Sequence, residues 1–188
     1  MLKSRWWITI ILWTGWSLGY AQIYYTTTGK VRFYSDAPLE DIEAINSAVS
    51  SFVDLRSGKV VAKVPIRKFD FPNDLMEEHF NERYLHSDRY PNAQLRGQII
   101  NLSDIDLTAN TPQPVIIEGN LTIHGITRKY RIEGTLSKHD NGYRAQAQFK
   151  VNVKAHDISI PKLMAQKIAE VVDVYVDFEY APFHKRKK

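Results

Sequence analysis

Residues 115–136 read Val115-Ile116-Ile117-Glu118-Gly119-Asn120-Leu121-Thr122-Ile123-His124-Gly125-Ile126-Thr127-Arg128-Lys129-Tyr130-Arg131-Ile132-Glu133-Gly134-Thr135-Leu136. Apolar and polar residues alternate on both sides of His124-Gly125, the period of a strand with one dry and one wet face. Two residues with a glycine between two such runs make a tight hairpin. Setting Ile123 against Ile126 puts Gly119 opposite Tyr130 and Ile117 opposite Ile132. Val115, Ile117, Leu121, Tyr130 and Ile132 then share one face, with Arg128 on it near the turn. In this register Tyr130 can lie over the bare backbone of Gly119.

The same period recurs outward from the hairpin. From Tyr143 to Val153 the odd positions, Phe149 and Val151 among them, are apolar or small and the even ones polar. Val172, Val174, Val176, Phe178 and Tyr180 alternate with Asp173, Tyr175, Asp177 and Glu179, and Val60, Ala62, Val64 and Ile66 repeat the pattern. Further strands are expected at Ile23 to Thr28, Val31 to Ser35, Ala44 to Leu55 and Ala93 to Leu102, with turns at Arg56-Ser57-Gly58-Lys59 and His139-Asp140-Asn141-Gly142. Pro65 marks an unpaired edge or a bulge. One segment departs from period two: Asn73-Asp74 caps a helix to about Tyr84, with Met76, Phe80 and Tyr84 on one side. A shorter helical turn is expected after Pro161.

About eight antiparallel strands, each with one dry face, have to hide those faces from water. The expected fold is all-β: an extended antiparallel eight-stranded β-barrel with one short helix, a sandwich being the rival. A barrel of that size either fills with its own side chains or holds one small apolar ligand, and the pattern alone does not choose.

At the start of the chain, Lys3 and Arg5 precede an apolar run from Trp6 to Leu18, followed by Gly19-Tyr20-Ala21. This is the layout of a secretory signal peptide over residues 1–21, cut before Gln22. The apolar run is shorter than the roughly 20 residues of a spanning helix, so no stable membrane span is expected after cleavage. The remaining 22–183 segment suits one domain, and 184–188 is a basic tail. Discounting the charges of Lys3 and Arg5 and the four of the tail turns the formal +4 into −2 for the body. The sequence pI of about 9.2 therefore gives no reason to expect a nucleic-acid partner. There is no cysteine, which removes thiol catalysis, thiolate zinc sites and a lipidated cysteine.

No constellation demands catalysis, a metal or a cofactor. The histidines at 79, 86, 124, 139, 156 and 184 have none of the spacings of a zinc protease or zinc finger. His79 and Glu82 read as a polar pair on the helix, and His124 as a turn residue. No G-x-S-x-G elbow, S-x-x-K or phosphate-cradling glycine loop is present. The acid pairs Asp104/Asp106 and Asp173/Asp177 fall at strand spacing, the second on the wet face, where solvation explains them better than proton transfer. The aromatics Phe33, Phe69, Phe80, Tyr130, Tyr143, Phe149, Phe178 and Tyr180 suit a core or a pocket for a long apolar molecule, and in a barrel the two coincide.

Gly119-Asn120-Leu121-Thr122-Ile123-His124-Gly125-Ile126-Thr127-Arg128 is similar to the G-x-L-T-I-H-G-V-T-K hairpin of the YceI-like family. His79-Phe80 leading to Tyr90-Pro91-Asn92-Ala93, and the closing Val176-Asp177-Phe178-Glu179-Tyr180, also resemble that family. Lys30-Val31-Arg32-Phe33-Tyr34-Ser35 stands where its members have H-S-x-V-x-F. The resemblance implies a lipocalin-like barrel, exported to the periplasm or secreted by a bacterium, that holds a lipid, an isoprenoid or a similar amphiphile. The expected lining is Val115, Ile117, Leu121, Tyr130, Ile132, Phe149, Val151, Val174, Val176 and Phe178, with Arg128 at a mouth or as a snorkelling rim residue. The expected role is a non-catalytic carrier. An enzyme working inside the barrel, and an interaction module docking along an edge near Pro65, are its rivals, and a homodimer stays open.

Overall fold

The 115–136 hairpin forms in the register that its alternation demands. Strands β6 (Gln113–Ile123) and β7 (Ile126–His139) pair with Ile123 opposite Ile126, Gly119 opposite Tyr130 and Ile117 opposite Ile132. His124 (φ 50°) and Gly125 (φ 77°) both take the left-handed conformation that a two-residue turn of this hand needs. A Cβ at Gly125 would also lie 2.6 Å from the Tyr90 ring, so the glycine is needed twice over.

The structure is a computed structural model that describes residues 23–161 and 166–183. The expected signal segment and basic tail lie outside the described residues, as do residues 162–165 of the turn expected after Pro161. Besides the hairpin, the strands are β1 (Ile23–Ser35), β2 (Ile42–Asp54), β3 (Lys59–Pro65), β4 (Phe69–Asp70), β5 (Asn92–Ile99), β8 (Gly142–Asn152) and β9 (Val171–Pro182). They are ordered β1-β9-β8-β7-β6-β5-β3-β2, and β2 pairs back onto β1. This closes an antiparallel barrel of eight strands, with the two-residue β4 added along β2. Closure gives each of the eight strands a backbone partner on both sides over part of its length.

Several expectations shift at element boundaries. The two strands expected before Ser35 are one: β1 runs through, with register shifts between Thr26 and Val31. The irregularity moves the inward set from Tyr24 and Thr26 to Val31 and Phe33, which broke the alternation in the sequence. Gly29 sits at that point, and the Phe178 ring fills the space a Cβ would need. Strand β3 lies between β2 and β5, but Pro65 falls past the last β2–β3 pair, Ser50 with Lys63, so its β2 side has no ladder partner there and it pairs only with Asn92 of β5. Strand β5 stops at Ile99, so Asp104 and Asp106 lie on the following loop instead of a strand. Asp104 ends the 3-10 turn Leu102–Asp104, and Asp106 accepts from the Thr108 hydroxyl and amide at 2.6 and 2.9 Å.

Helix α1 (Asp74–His79) begins where Asn73 Oδ1 accepts from the Leu75 and Met76 amides, and its last turn widens into a π-type turn over Phe80–Tyr84. The helix, the 36–41 loop, the His124-Gly125 turn and the segments 153–161 and 166–170 gather at one end of the barrel. At the opposite end Leu102, Ile105 and Leu107 pack against the core, and the Tyr143 hydroxyl donates to Leu107 O at 3.1 Å. Tyr24 meets Tyr143 edge-on at 4.8 Å there, which makes this end a closed floor.

Candidate functional site: an apolar cavity inside the barrel

The inward side chains do not all touch one another. Ala44, Val49 and Val53 of β2 are buried to 3% exposure or less, whereas inward residues of β8 and β9, such as Phe149, Val174 and Val176, are only partly buried. A side chain that points into a closed barrel and still has free surface must border empty space. That space is a cavity of about 300 Å³. It is at the lower end of the size range of small-molecule sites.

Of the sequence-derived lining, Val115, Ile117, Leu121, Ile132, Phe149, Val151, Val174, Val176 and Phe178 all border the cavity. Tyr130 and Arg128 do not, although they share the register of Ile132. The cause is a splay between β7 and β8, whose pairing ends at Gly134 and Ala147. The turn Val153–His156 enters beside the gap. The Tyr130 ring there lies 6.0 Å from Phe149 and stacks on His156, and its hydroxyl meets His156 Nε2 at 3.0 Å. Arg128 Nε donates to Ala155 O at 2.9 Å. Both side chains are therefore occupied in holding the connection to β7. Nor does Tyr130 account for the bare Gly119: a Cβ there would lie 2.6 Å from Arg96 O and from the Gly97 Cα, so two facing glycines let β5 and β6 approach.

Toward the helix end the wall becomes aromatic. Phe80 lies 5.5 Å from Phe33, 5.5 Å from Phe69 and 5.0 Å from Phe71, ring centre to ring centre, and Met76 completes that side. Besides tyrosines, the titratable side chains among the described residues that border the space are Glu40, His79 and Lys167, all at this end. Lys167 Nζ is 3.5 Å from Glu40 Oε2, and Leu39 N donates to Gln166 O at 2.9 Å, tying the 36–41 loop to the 166–170 segment. Lys167 is half-exposed and also part of the wall, so the cavity reaches solvent at this end.

Deeper inside, the notable polar group is the Tyr180 hydroxyl. It meets Ser51 Oγ at 2.7 Å, and Ser51 Oγ donates onward to Val61 O at 3.0 Å, so the Tyr180 hydroxyl is the donor. Burial pushes the Tyr180 pKa up to about 12, against a smaller opposing effect of the Ser51 bond. The group stays neutral and its proton is committed. An interior with neutral, mutually satisfied polar atoms offers a guest dispersion contacts and hydrophobic burial, with no fixed charge.

The acids lie elsewhere. Asp177 takes two hydrogen bonds from Arg144, at 2.9 and 2.6 Å, which hold its carboxyl below the usual range, and Asp173 pairs with Lys150 at 3.0 Å. The second pair is directly opposite in the β8–β9 ladder and the first is diagonal across it, both on the outer face. Among the described residues no group of three or more His, Cys, Asp or Glu is placed to share a metal ion. Among the described residues no helix is long and apolar enough to cross a membrane.

A sequence profile of the YceI-like domain matches residues 25–180. The chain belongs to the YceI-like family. Solved structures agree on the fold. A polyisoprenoid-binding domain from Saccharophagus degradans, implicated in plant cell wall breakdown, superposes with a TM-score of 0.74 at 12% identity, over 87% of this chain and 99% of that one. Burkholderia cenocepacia BcnA gives 0.65 at 13% identity, over 79% and 94%, and a Campylobacter jejuni YceI protein gives 0.54 at 11%, over 71% and 78%. No curated protein sequence matches the chain significantly.

For this YceI-like barrel, sequence reasoning missed the mouth. Glu40, Lys167, Met76, Phe71, Ile158 and Ile168 border the cavity from loops and the helix, where period two gives no signal. It also missed the histidines that meet at the helix end. His86 Nδ1 and His124 Nε2 are 2.7 Å apart, and the Tyr90 ring stands edge-on to His124 at 4.6 Å. The positive φ of His86 (44°) cannot be read from composition.

Proposed function

We propose that this protein is an exported, non-catalytic carrier that shelters a lipid, an isoprenoid or a similar amphiphile with its apolar chain inside the barrel. The observation that carries the reading is the cavity itself: about 300 Å³ of space walled by aliphatic and aromatic side chains and open at one end. Affinity would come from removing hydrocarbon from water, at roughly 25 cal/mol per Å². The Saccharophagus degradans neighbour, described as polyisoprenoid-binding, supports the ligand class. The amino-terminal run of residues 1–21 supports export, and with it a periplasmic or secreted location. An aqueous compartment is where an apolar molecule needs such a shelter.

The test is native mass spectrometry of the protein purified from its own host, followed by solvent extraction. A reproducible long-chain mass, released on unfolding, is expected. Val176→Glu places a carboxylate in the wall and should abolish retention while Val176→Leu keeps it. Protein that is repeatedly empty, or retention indifferent to Val176→Glu in a folded variant, overturns the proposal.

A further inference from the structure

The cavity is long and narrow, and its dimensions limit what can occupy it. On β6 the residues that border it run from Val115 to Ile123, and on β9 from Val172 to Tyr180. Ile123 and Val172 stand at the helix end, beside the His124-Gly125 turn and the 166–170 segment, and Val115 and Tyr180 stand toward the floor. Each run takes eight residue steps. At about 3.3 Å per step, and with the roughly 40° tilt of strands in a small barrel, the space is about 20 Å deep.

The floor is solid. Tyr180 faces Tyr143 across the β8–β9 ladder. Tyr180 borders the cavity, with its hydroxyl held by Ser51 at 2.7 Å. Tyr143 is not part of the wall; it packs edge-on against Tyr24 at 4.8 Å and donates to Leu107 O at 3.1 Å. Ala145, the next inward residue of β8 and the partner of Phe178, borders the space at this end.

A guest therefore meets two limits. The first is volume. A methylene group fills about as much space as a water molecule, roughly 30 Å³, so the cavity of about 300 Å³ takes about ten carbons with its walls as they stand. The second is depth. An extended chain advances about 1.2 Å per bond, as a polypeptide does, so a tail reaches the level of Tyr180 after about sixteen carbons. Rotamer changes of the flexible Met76 relax the first limit, whereas the floor sets the second. Two chains reaching that depth need about three times the volume present.

We propose that the guest is a single-chain amphiphile with about ten to sixteen carbons below its polar head, and that the floor at Ala145, Tyr143 and Tyr180 measures the chain. Lipids with two acyl chains and long polyprenyl chains leave most of their hydrocarbon in water and gain little from this barrel. The head lies at the helix end, beside Glu40, His79 and Lys167. The inference rests on the carrier reading and narrows it.

The test uses protein purified from its own host and stripped of any guest on a hydrophobic resin. A bound fluorescent fatty acid is displaced by saturated fatty acids from octanoic to eicosanoic acid, each below its aggregation concentration. Affinity is expected to rise about fourfold for each added carbon, the effect of one buried methylene, and to level off between about ten and sixteen carbons. Ala145→Leu should bring the plateau about three carbons earlier and the milder Ala145→Val about two, one for each carbon added to the wall. Val61→Leu, at a position 41% exposed on the outer face, should leave it in place. A rise that continues to eicosanoic acid overturns the proposal. So does tighter binding of a two-chain phospholipid or a long polyprenol than of dodecanoic acid, or a plateau that folded Ala145→Leu and Ala145→Val both leave unmoved. In each of these cases the carrier reading stands, whereas binding of no chain at all overturns both.

Discussion

His156 has no exposed surface, yet both of its ring nitrogens are used. Nδ1 donates to Ile126 O at 3.0 Å and Nε2 accepts from the Tyr130 hydroxyl at 3.0 Å, an arrangement that fixes one neutral tautomer. Burial depresses its pKa below the ordinary 6.5, and nearby Arg128 adds to the effect against the Ile126 and Ile123 carbonyls. The unfolded chain therefore takes up this proton first as pH falls. Unfolding is then favoured progressively below the unfolded value, and the full contribution of His156 to stability is present only above it. Urea midpoints of the wild type should drop between about pH 7.5 and 5.5, and His156→Phe should flatten that drop. At neutral pH the same variant should be about 1–3 kcal/mol less stable, because the Tyr130 hydroxyl and Ile126 carbonyl lose their partner. A variant with the wild-type pH slope would show that the titration lies elsewhere.

At the scale of elements, α1 and its π-type turn matter through one ring. Phe80 touches Phe33, Phe69 and Phe71 and so fastens the helix over the mouth side of the cavity. Phe80→Ala should cost about 2–4 kcal/mol, read from denaturant midpoints, and should speed the exchange of a fluorescent fatty acid from the barrel. Faster exchange without lost stability would mean that the helix gates entry without closing the core. The elements differed in how far sequence revealed them. Hairpin β6–β7 was readable to the residue because two signals agree, alternation on both strands and a glycine turn of fixed length. Strands β8 and β9 were readable because their dry faces never slip. The irregularity in β1 hid its continuity, since one slip exchanges inward and outward residues. Arg128 and Tyr130 were misplaced for a related reason: register gives the face, but the splay between β7 and β8 arises from tertiary packing against His156. Glu40 and Lys167 meet only because two loops far apart in sequence are joined at the mouth, which no local pattern records.

For the whole molecule, the question left by an eight-stranded barrel is whether its interior is filled, and two alanines answer it. Ala44 and Ala147 both point inward, but Ala44 is 1% exposed in the packed core, and Ala147 borders the cavity. A larger side chain in a tight core forces strain, about 1–3 kcal/mol, whereas one that grows into a void gains contacts. Ala44→Leu should accordingly lower the melting temperature. Ala147→Leu should leave it unchanged or raise stability by about 0.5–2 kcal/mol, as cavity filling does elsewhere, and at the same time reduce ligand retention by occupying the guest's space. The paired outcome separates a cavity kept for a guest from a core that merely packs loosely. If both substitutions destabilise equally, the interior is already full at Ala147, and the carrier reading loses its physical basis.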